Sequence, residues 1–283
     1  LLKTIEKLKP HIIITFGIIP LKSLIGTKIS GFKSDINIWR GWNIPDRDLK
    51  AFINPVFSPS YVLSEDRAEV NLIWEQDLIR AFSKLKTPFP KTENDESKIQ
   101  IIDDLKVLES IKSGNIAFDY EGTGLRPYRK GHKIVSASVC DGTNTYSFLM
   151  PKTRRETKYF TNLLSNPEIG KIAQNMKFED TWTKVKLRTD VKNWIWDTML
   201  ATHVLDNRKG ITGLKFQTYI RFGVGDYSSS VDEFIKTTSK NSNTINRIDE
   251  MVRDHPKELL LYGGLDSYYT YKLAMLQMEE MGL

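Results

Sequence analysis

Asn115-Ile-Ala-Phe118-Asp119-Tyr-Glu121 runs from a short apolar segment straight into two carboxylates. Asn115 to Phe118 reads as a strand. Residues two apart on a strand share a face, so Asp119 and Glu121 project from one surface at the strand's end. Two anions this close repel each other unless a cation joins them. Oxygen donors of this kind suit Mg²⁺ or Mn²⁺. Taken alone, the pair also reads as two solvated acids at a strand end.

The pattern continues outward. Lys133 to Val139 alternates, with Ile134, Val135, Ala137 and Val139 apolar, and Thr145 to Leu149 is a further strand candidate. With a turn at Asp141-Gly142 these predict an antiparallel meander. Lys171 to Ala173 reads as a short strand, and Asp103 to Ser110 as a short helix. Helices are expected at 177–187, 197–206 and 211–221. Residues 226–247, rich in Ser, Thr and Asn, read as an irregular loop region. Pro256 opens a last helix through about Met281, since Pro fits a first turn.

Upstream, residues 1–63 read as a separate α/β unit: a helix end at Leu2–Leu8, a buried β-branched strand at Ile12–Phe16, helical spacing from Ile18 to Ile25, and a short strand at Asn54–Phe57. Residues 64–98 read as a helical connector, with a domain boundary near 90–98. The second unit then covers 99–283.

Composition narrows the function classes. Charged residues make up 27% and hydrophobic ones 40%, ordinary for a soluble globular chain. The net charge of +6 favours polyanionic partners. Cys140 is the only cysteine, which excludes an intramolecular disulfide and a Cys-based zinc or iron–sulfur site, and points to a reducing compartment. The longest apolar run, Ile12 to Ile19, is too short to span a bilayer, so no membrane partner is expected. The chain begins at Leu1 and enters structure at once, so a piece of a longer protein is expected.

Two further acidic clusters follow Asp119 and Glu121. Asn175-Met-Lys-Phe-Glu179-Asp180 lies at a strand end and helix start. There Asn175 is a candidate N-cap, and Glu179 also reads as a first-turn acid suited to the helix dipole. Glu179 and Asp180 point about 100° apart on a helix, so one of them faces any shared site well. Glu179 is the better placed, beside the face that Phe178 and Trp182 bury. Tyr262-Gly-Gly-Leu-Asp266 puts a phenol and a carboxylate four apart on one helix face, which alone also reads as a core tyrosine beside a surface acid. Four carboxylates and a phenol around divalent metals are equipment for cutting a phosphodiester bond.

In this order the three clusters resemble the DEDDy branch of the DnaQ-like 3′–5′ exonucleases, in particular the proofreading domain of family A DNA polymerases. The resemblance rests on Phe118-Asp-Tyr-Glu-Gly-Thr-Gly-Leu125, on Gln174-Asn-Met-Lys-Phe-Glu179 and on Tyr262 with Asp266. Asp197-Thr-Met-Leu200 and Gly213-Leu-Lys215 look like its intervening helices. It implies an α/β, ribonuclease H-like mixed sheet with flanking helices. It also implies two divalent ions, Mg²⁺ or Mn²⁺, held by Asp119, Glu121, Glu179 and Asp266. Tyr262 would orient the attacking water, Leu125 would pack against the terminal base, and Asn175 would help position the strand end. The family's second motif usually carries Asp where this chain has Glu179. The substrate expected is a single-stranded DNA 3′ end or primer terminus. Candidate phosphate contacts are Arg126, Arg129, Lys130, Lys177 and Lys215.

Residues 9–63 resemble the C-terminal half of a uracil-DNA glycosylase-like domain, through Pro10–Gly17, Leu21–Gly26, Arg40-Gly41 and Asn54–Tyr61. The family's functional His-Pro-Ser is here Ser58-Pro59-Ser60, so no base excision is expected, and His11 reads as a packing residue. Together the resemblances imply proofreading of DNA within a phage-type polymerase, in the bacterial host cytoplasm, with a polymerase portion downstream. An RNA-trimming nuclease of the same superfamily and a weakly catalytic DNA-binding module are the alternatives.

Overall fold

The computed structural model describes residues 2–236 and 243–283. The chain divides into two compact units, residues 1–93 with 207–227, and residues 94–206 with 228–283.

In the first unit the elements are α1 (Leu2–Leu8), β1 (Ile12–Phe16), α2 (Ile18–Ile25), α3 (Ile36–Trp39), β2 (Ile44–Asp46), β3 (Ala51–Val56), α4 (Pro59–Glu65) and α5 (Ala68–Phe82). A three-stranded sheet runs in the order β1-β3-β2, with β1 and β3 parallel and β2 antiparallel to β3. Ser58 caps α4, its Oγ accepting from the Tyr61 N–H at 3.3 Å. His11 is tied down too, its Nε2 at 2.8 Å from the Thr87 carbonyl and 3.0 Å from that of Lys84.

In the second unit come β4 (Ile99–Ile101), β5 (Gly114–Gly122), β6 (Ile134–Cys140), β7 (Thr145–Leu149), α6 (Arg154–Ser165), β8 (Ile169–Ala173), α7 (Met176–Trp182), β9 (Trp194–Asp197) and α8 (Thr198–Leu205). The chain then enters the first unit with α9 (Leu214–Phe222). It returns for α10 (Ser229–Ile235), α11 (Ile248–Asp254) and α12 (Pro256–Glu280). The six-stranded sheet is mixed, in the order β4-β7-β6-β5-β8-β9. The meander β5-β6-β7 is antiparallel, while β8 lies parallel to β5, β9 to β8 and β4 to β7.

Alternation along β5 sorts its side chains between two layers. Phe118 and Tyr120 enter the core shared with Phe148, Phe160 and Trp182, on the α6 side. Ala117 packs with Ala274 of α12 on the other side. Asp119 and Glu121 share Ala117's parity and so emerge toward α12.

Several expectations change. The segment 103–110 forms a 3₁₀ helix from Leu105. The helix expected at 177–187 is α7 followed by a π-helical turn at Thr183–Leu187. Within 226–247, Ser229–Ile235 is helical because Val231 and Phe234 pack against Ile248, Met251 and Leu259. Tertiary packing there outweighs a polar composition. Residues 237–242 of that segment lie outside the described residues.

The segment 207–227 completes the first unit's core. Ile211, Tyr219 and Ile220 are buried against Leu21, Trp39, Ile44 and Ile53. The Trp39 ring lies 4.9 Å from that of Phe216. Gly223 ends α9 with φ +66°, and a Cβ built there would fall 1.7 Å from the Pro45 carbonyl oxygen. Only glycine fits so close an approach.

Candidate metal centre

Asp119 and Glu121 stand opposite Ser138 and Ser136 on β6. Ser138 fixes what lies above them: its Oγ donates to the Gly263 carbonyl at 2.6 Å and shares a 2.6 Å hydrogen bond with Ser267 Oγ. Helix α12 can sit this low because Gly264 has no side chain. A Cβ on Gly263 would lie 3.7 Å from Glu121 Cγ, and one on Gly264 would lie 2.4 Å from Ile99 Cγ2. The first is ordinary contact and the second is a clash, so Gly264 is the residue that lets Tyr262 and Asp266 lie over the end of β5.

Asp119, Glu121 and Asp266 converge. Each offers an oxygen such that all three lie within 4.8 Å of one another, with Glu121 and Asp266 buried. Three carboxylates at this spacing and burial suit a hard divalent cation. Like charges so near are otherwise held apart by mutual repulsion. Tyr262 is half-buried, and its side chain hydrogen-bonds Asp266. Burial first, and then the charges of Asp266, Glu121 and Asp119, push its phenol well above the usual tyrosine range, so it stays protonated.

Glu179 stands outside that trio but within reach of its field. It is 2% exposed, and its Oε2 has no hydrogen-bond partner among the described residues. Burial, and then the charge of Asp119, push its carboxyl well above the ordinary range. A buried carboxyl oxygen left unpartnered within the field of Asp119, Asp197 and Glu121 fits a bound cation or its water shell. Asp180 is engaged elsewhere, accepting from Lys184 Nζ at 2.8 Å and from Trp194 Nε1 at 3.2 Å.

Asn175 occupies the N-cap position of α7 in a left-handed conformation, φ 66°, without a side-chain capping bond. The capping expected of it falls to Asp197. That carboxylate accepts from the N–H groups of Asn175 at 3.2 Å and Met176 at 2.9 Å, and from Met199 and Leu200 at the start of α8. One side chain thus serves two helix starts and sets the position of Glu179. Asp197 at a strand-to-helix junction was the available signal, but its second helix depends on tertiary placement. Ser138 carried no sequence signal at all.

Leu125 and Arg126 are exposed in the loop after β5, as are Arg129 and Lys130, and Lys177 is exposed on α7. Lys215 belongs to the first unit, its Nζ 3.9 Å from the centre of the Tyr227 ring.

A family model described as 3′-5′ exonuclease matches residues 97–281. Among curated proteins, the DNA polymerase of Escherichia phage T5 is 28% identical over 151 residues, covering 51% of this chain and 17% of the polymerase. The DNA polymerase of Bacillus phage SP01 is 25% identical over 263 residues, covering 81% of this chain and 27% of the polymerase. The chain therefore spans well under a third of either relative. Among solved structures, the Trypanosoma brucei RNase D complex with RNA U12 superposes with a TM-score of 0.50 at 16% identity, covering 64% of each chain. Identity that low speaks to the fold alone.

Proposed function

The chain belongs to the 3′-5′ exonuclease family, on a DnaQ-like, ribonuclease H-like fold preceded by a smaller α/β unit, and from that premise we propose that it removes nucleotides from DNA 3′ ends by metal-dependent phosphodiester hydrolysis. In this reading it is the proofreading portion of a phage-type family A DNA polymerase. The observation that carries the reading is the convergence of Asp119, Glu121 and Asp266 within 4.8 Å at the foot of α12.

Asp119, Glu121 and Asp266 would hold the metal, with Glu179 reaching it directly or through water. A divalent pair bound there would supply an activated water and charge stabilisation for the leaving oxygen. The chain's own groups do the rest. Tyr262, kept protonated, offers its hydroxyl to orient the attacking water. Asp197 holds the first turn of α7 so that Glu179 stays aimed at the cluster. Leu125 and Asn175 would receive the terminal nucleotide, and Arg126 and Lys177 its phosphates. The two phage polymerases favour DNA as substrate, and the chain's basicity suits a polyanion.

The proposed organisation is a glycosylase-like remnant at 1–63, a connector at 64–98 and the nuclease at 99–283, with 207–227 of that last stretch lent to the first unit's core. The remnant holds DNA and does no base excision, in keeping with Ser58 capping a helix where a catalytic imidazole is wanted.

The test is a 3′-to-5′ trimming assay on an end-labelled single strand. Shortening that requires Mg²⁺ or Mn²⁺ and vanishes in Asp119→Ala is expected. Tight binding with no shortening would replace the enzyme with a binding module. Faster trimming of the matching RNA would move the substrate to RNA.

A further inference from the structure

A second charged feature lies on the other layer of the nuclease sheet. A pocket of about 500 Å³ opens between the first turns of α6, the end of the π-helical turn and the start of β6. Its wall carries Lys133, Lys152, Arg154, Lys158, Lys186 and Arg188, and no acidic residue. Those six cations equal the formal net charge of the entire chain, +6. Lys133 pairs with Asp249 at 2.9 Å. None of the other five forms an ion pair among the described residues. Glu156, the nearest acid in sequence, is occupied with Thr153, whose Oγ1 donates to its Oε2 at 2.7 Å.

Concentrating like charges around one concavity opposes folding and has little packing reward here, since all of these side chains but the half-buried Lys186 are exposed. Such a field favours a polyanion. The positive end of the twelve-residue helix α6 adds to it. The floor is partly apolar, from Ile134, Met150 and Leu187.

The pocket's position says which polyanion. Ile134 pairs with Gly122, the residue after Glu121. Ile134 belongs to the α6-side core, however, because the pairing register shifts between Glu121 and Gly122. The carboxylate trio and the basic pocket therefore lie at the same end of the sheet but on opposite faces. The loop 123–132 joins β5 to β6 between them. It presents Tyr128, 78% exposed, among Arg126, Arg129 and Lys130. Tyr128 sits close enough to the π-helical turn to influence Lys184. Cations that alternate with an exposed ring suit a single strand, whose bases stack while its phosphates are tracked.

We infer that this pocket is an upstream subsite for single-stranded nucleic acid. It grips backbone phosphates of the strand whose 3′ end lies at the carboxylates, after the strand crosses the loop 123–132. The assignment rests on the nuclease reading above for the placement of the 3′ end.

The test measures binding by fluorescence anisotropy with labelled oligothymidylates of three and twelve nucleotides, in an Asp119→Ala background. The variant is Lys152→Gln/Arg154→Gln/Lys158→Gln. A control that removes the same charge elsewhere is Lys112→Gln/Lys192→Gln/Lys257→Gln. The groove variant should weaken twelve-nucleotide binding at least tenfold more than three-nucleotide binding. Its salt slope for the long strand should fall by about 2, at roughly 0.7 per lost phosphate contact on a single strand. A twelve-nucleotide uridylate should be weakened equally, since the contacts are to phosphate. Equal losses for short and long strands, equal losses in the control, or a loss confined to one sugar type would each overturn the subsite. Circular dichroism of the exposed-site variants checks that they fold. Binding is read whether or not the carboxylates cut. A failure of the nuclease reading appears separately, as trimming by the unsubstituted protein that is absent or that survives Asp119→Ala.

Discussion

At Glu179 the chain keeps a buried carboxyl with one oxygen unpartnered among the described residues and a like charge beside it. The stability consequence has a definite sign. Its folded-state proton affinity is raised, so between the ordinary value near 4.5 and the higher folded value the folded state holds more protons than the unfolded. Stability must fall as pH rises through that window. Metal-free Glu179→Gln should lack this loss and melt higher than the parent at pH 8. The expected gain is roughly 2–4 °C for each kcal/mol relieved in a domain of this size. Added Mg²⁺ should narrow the gap by raising the parent more. The same variant should lose about 10–100-fold in metal affinity or trimming rate, as partners of metal ligands do. A parent and variant with identical pH–melting profiles would mean that Glu179 does not feel the cluster.

At the scale of elements, the placement of α12 is what turns distant acids into one site. Gly264 faces Ile99 on β4 with no room for a methyl. Gly264→Ala should cost roughly 1–3 kcal/mol by overpacking. It should also weaken divalent-ion binding, because Asp266 lies half a turn further on. Ile99→Ala should offset part of that cost, so a double-mutant cycle measured by denaturant melts should be non-additive. Additive losses would show that the contact is slack. The acids, the tyrosine and the strands β5 to β8 were readable because each is a local pattern: alternation, a strand end, a four-residue helix spacing. The roles of Ser138 and Asp197 were not, since a serine within a strand and a helix-capping aspartate acquire them only when α12 and α7 arrive. Helix α10 was hidden for the same reason, its Ser-rich sequence being overridden by burial of Val231. The basic pocket is gathered from three separate segments, and no window of sequence contains it.

For the molecule as a whole, the first unit is discontinuous in sequence. Ile211, Tyr219 and Ile220 are buried in its core, and each such side chain contributes about 1.5–3 kcal/mol. Three of them rival the total stability of an ordinary domain, about 5–15 kcal/mol. Residues 1–93 alone should therefore melt without a cooperative transition, while the same piece joined to 207–227 by a Gly/Ser linker should recover one. A sharp calorimetric transition in the short piece would remove the core role assigned to α9. The arrangement also imposes a timetable on synthesis. The ribosome finishes residue 93 and then makes another 134 residues before the missing segment 207–227 is complete, roughly 7–27 s at 5–20 residues per second. Throughout that interval residues 1–93 carry an open apolar seam, and the sheet bearing the carboxylates is translated entirely before the unit that precedes it can close.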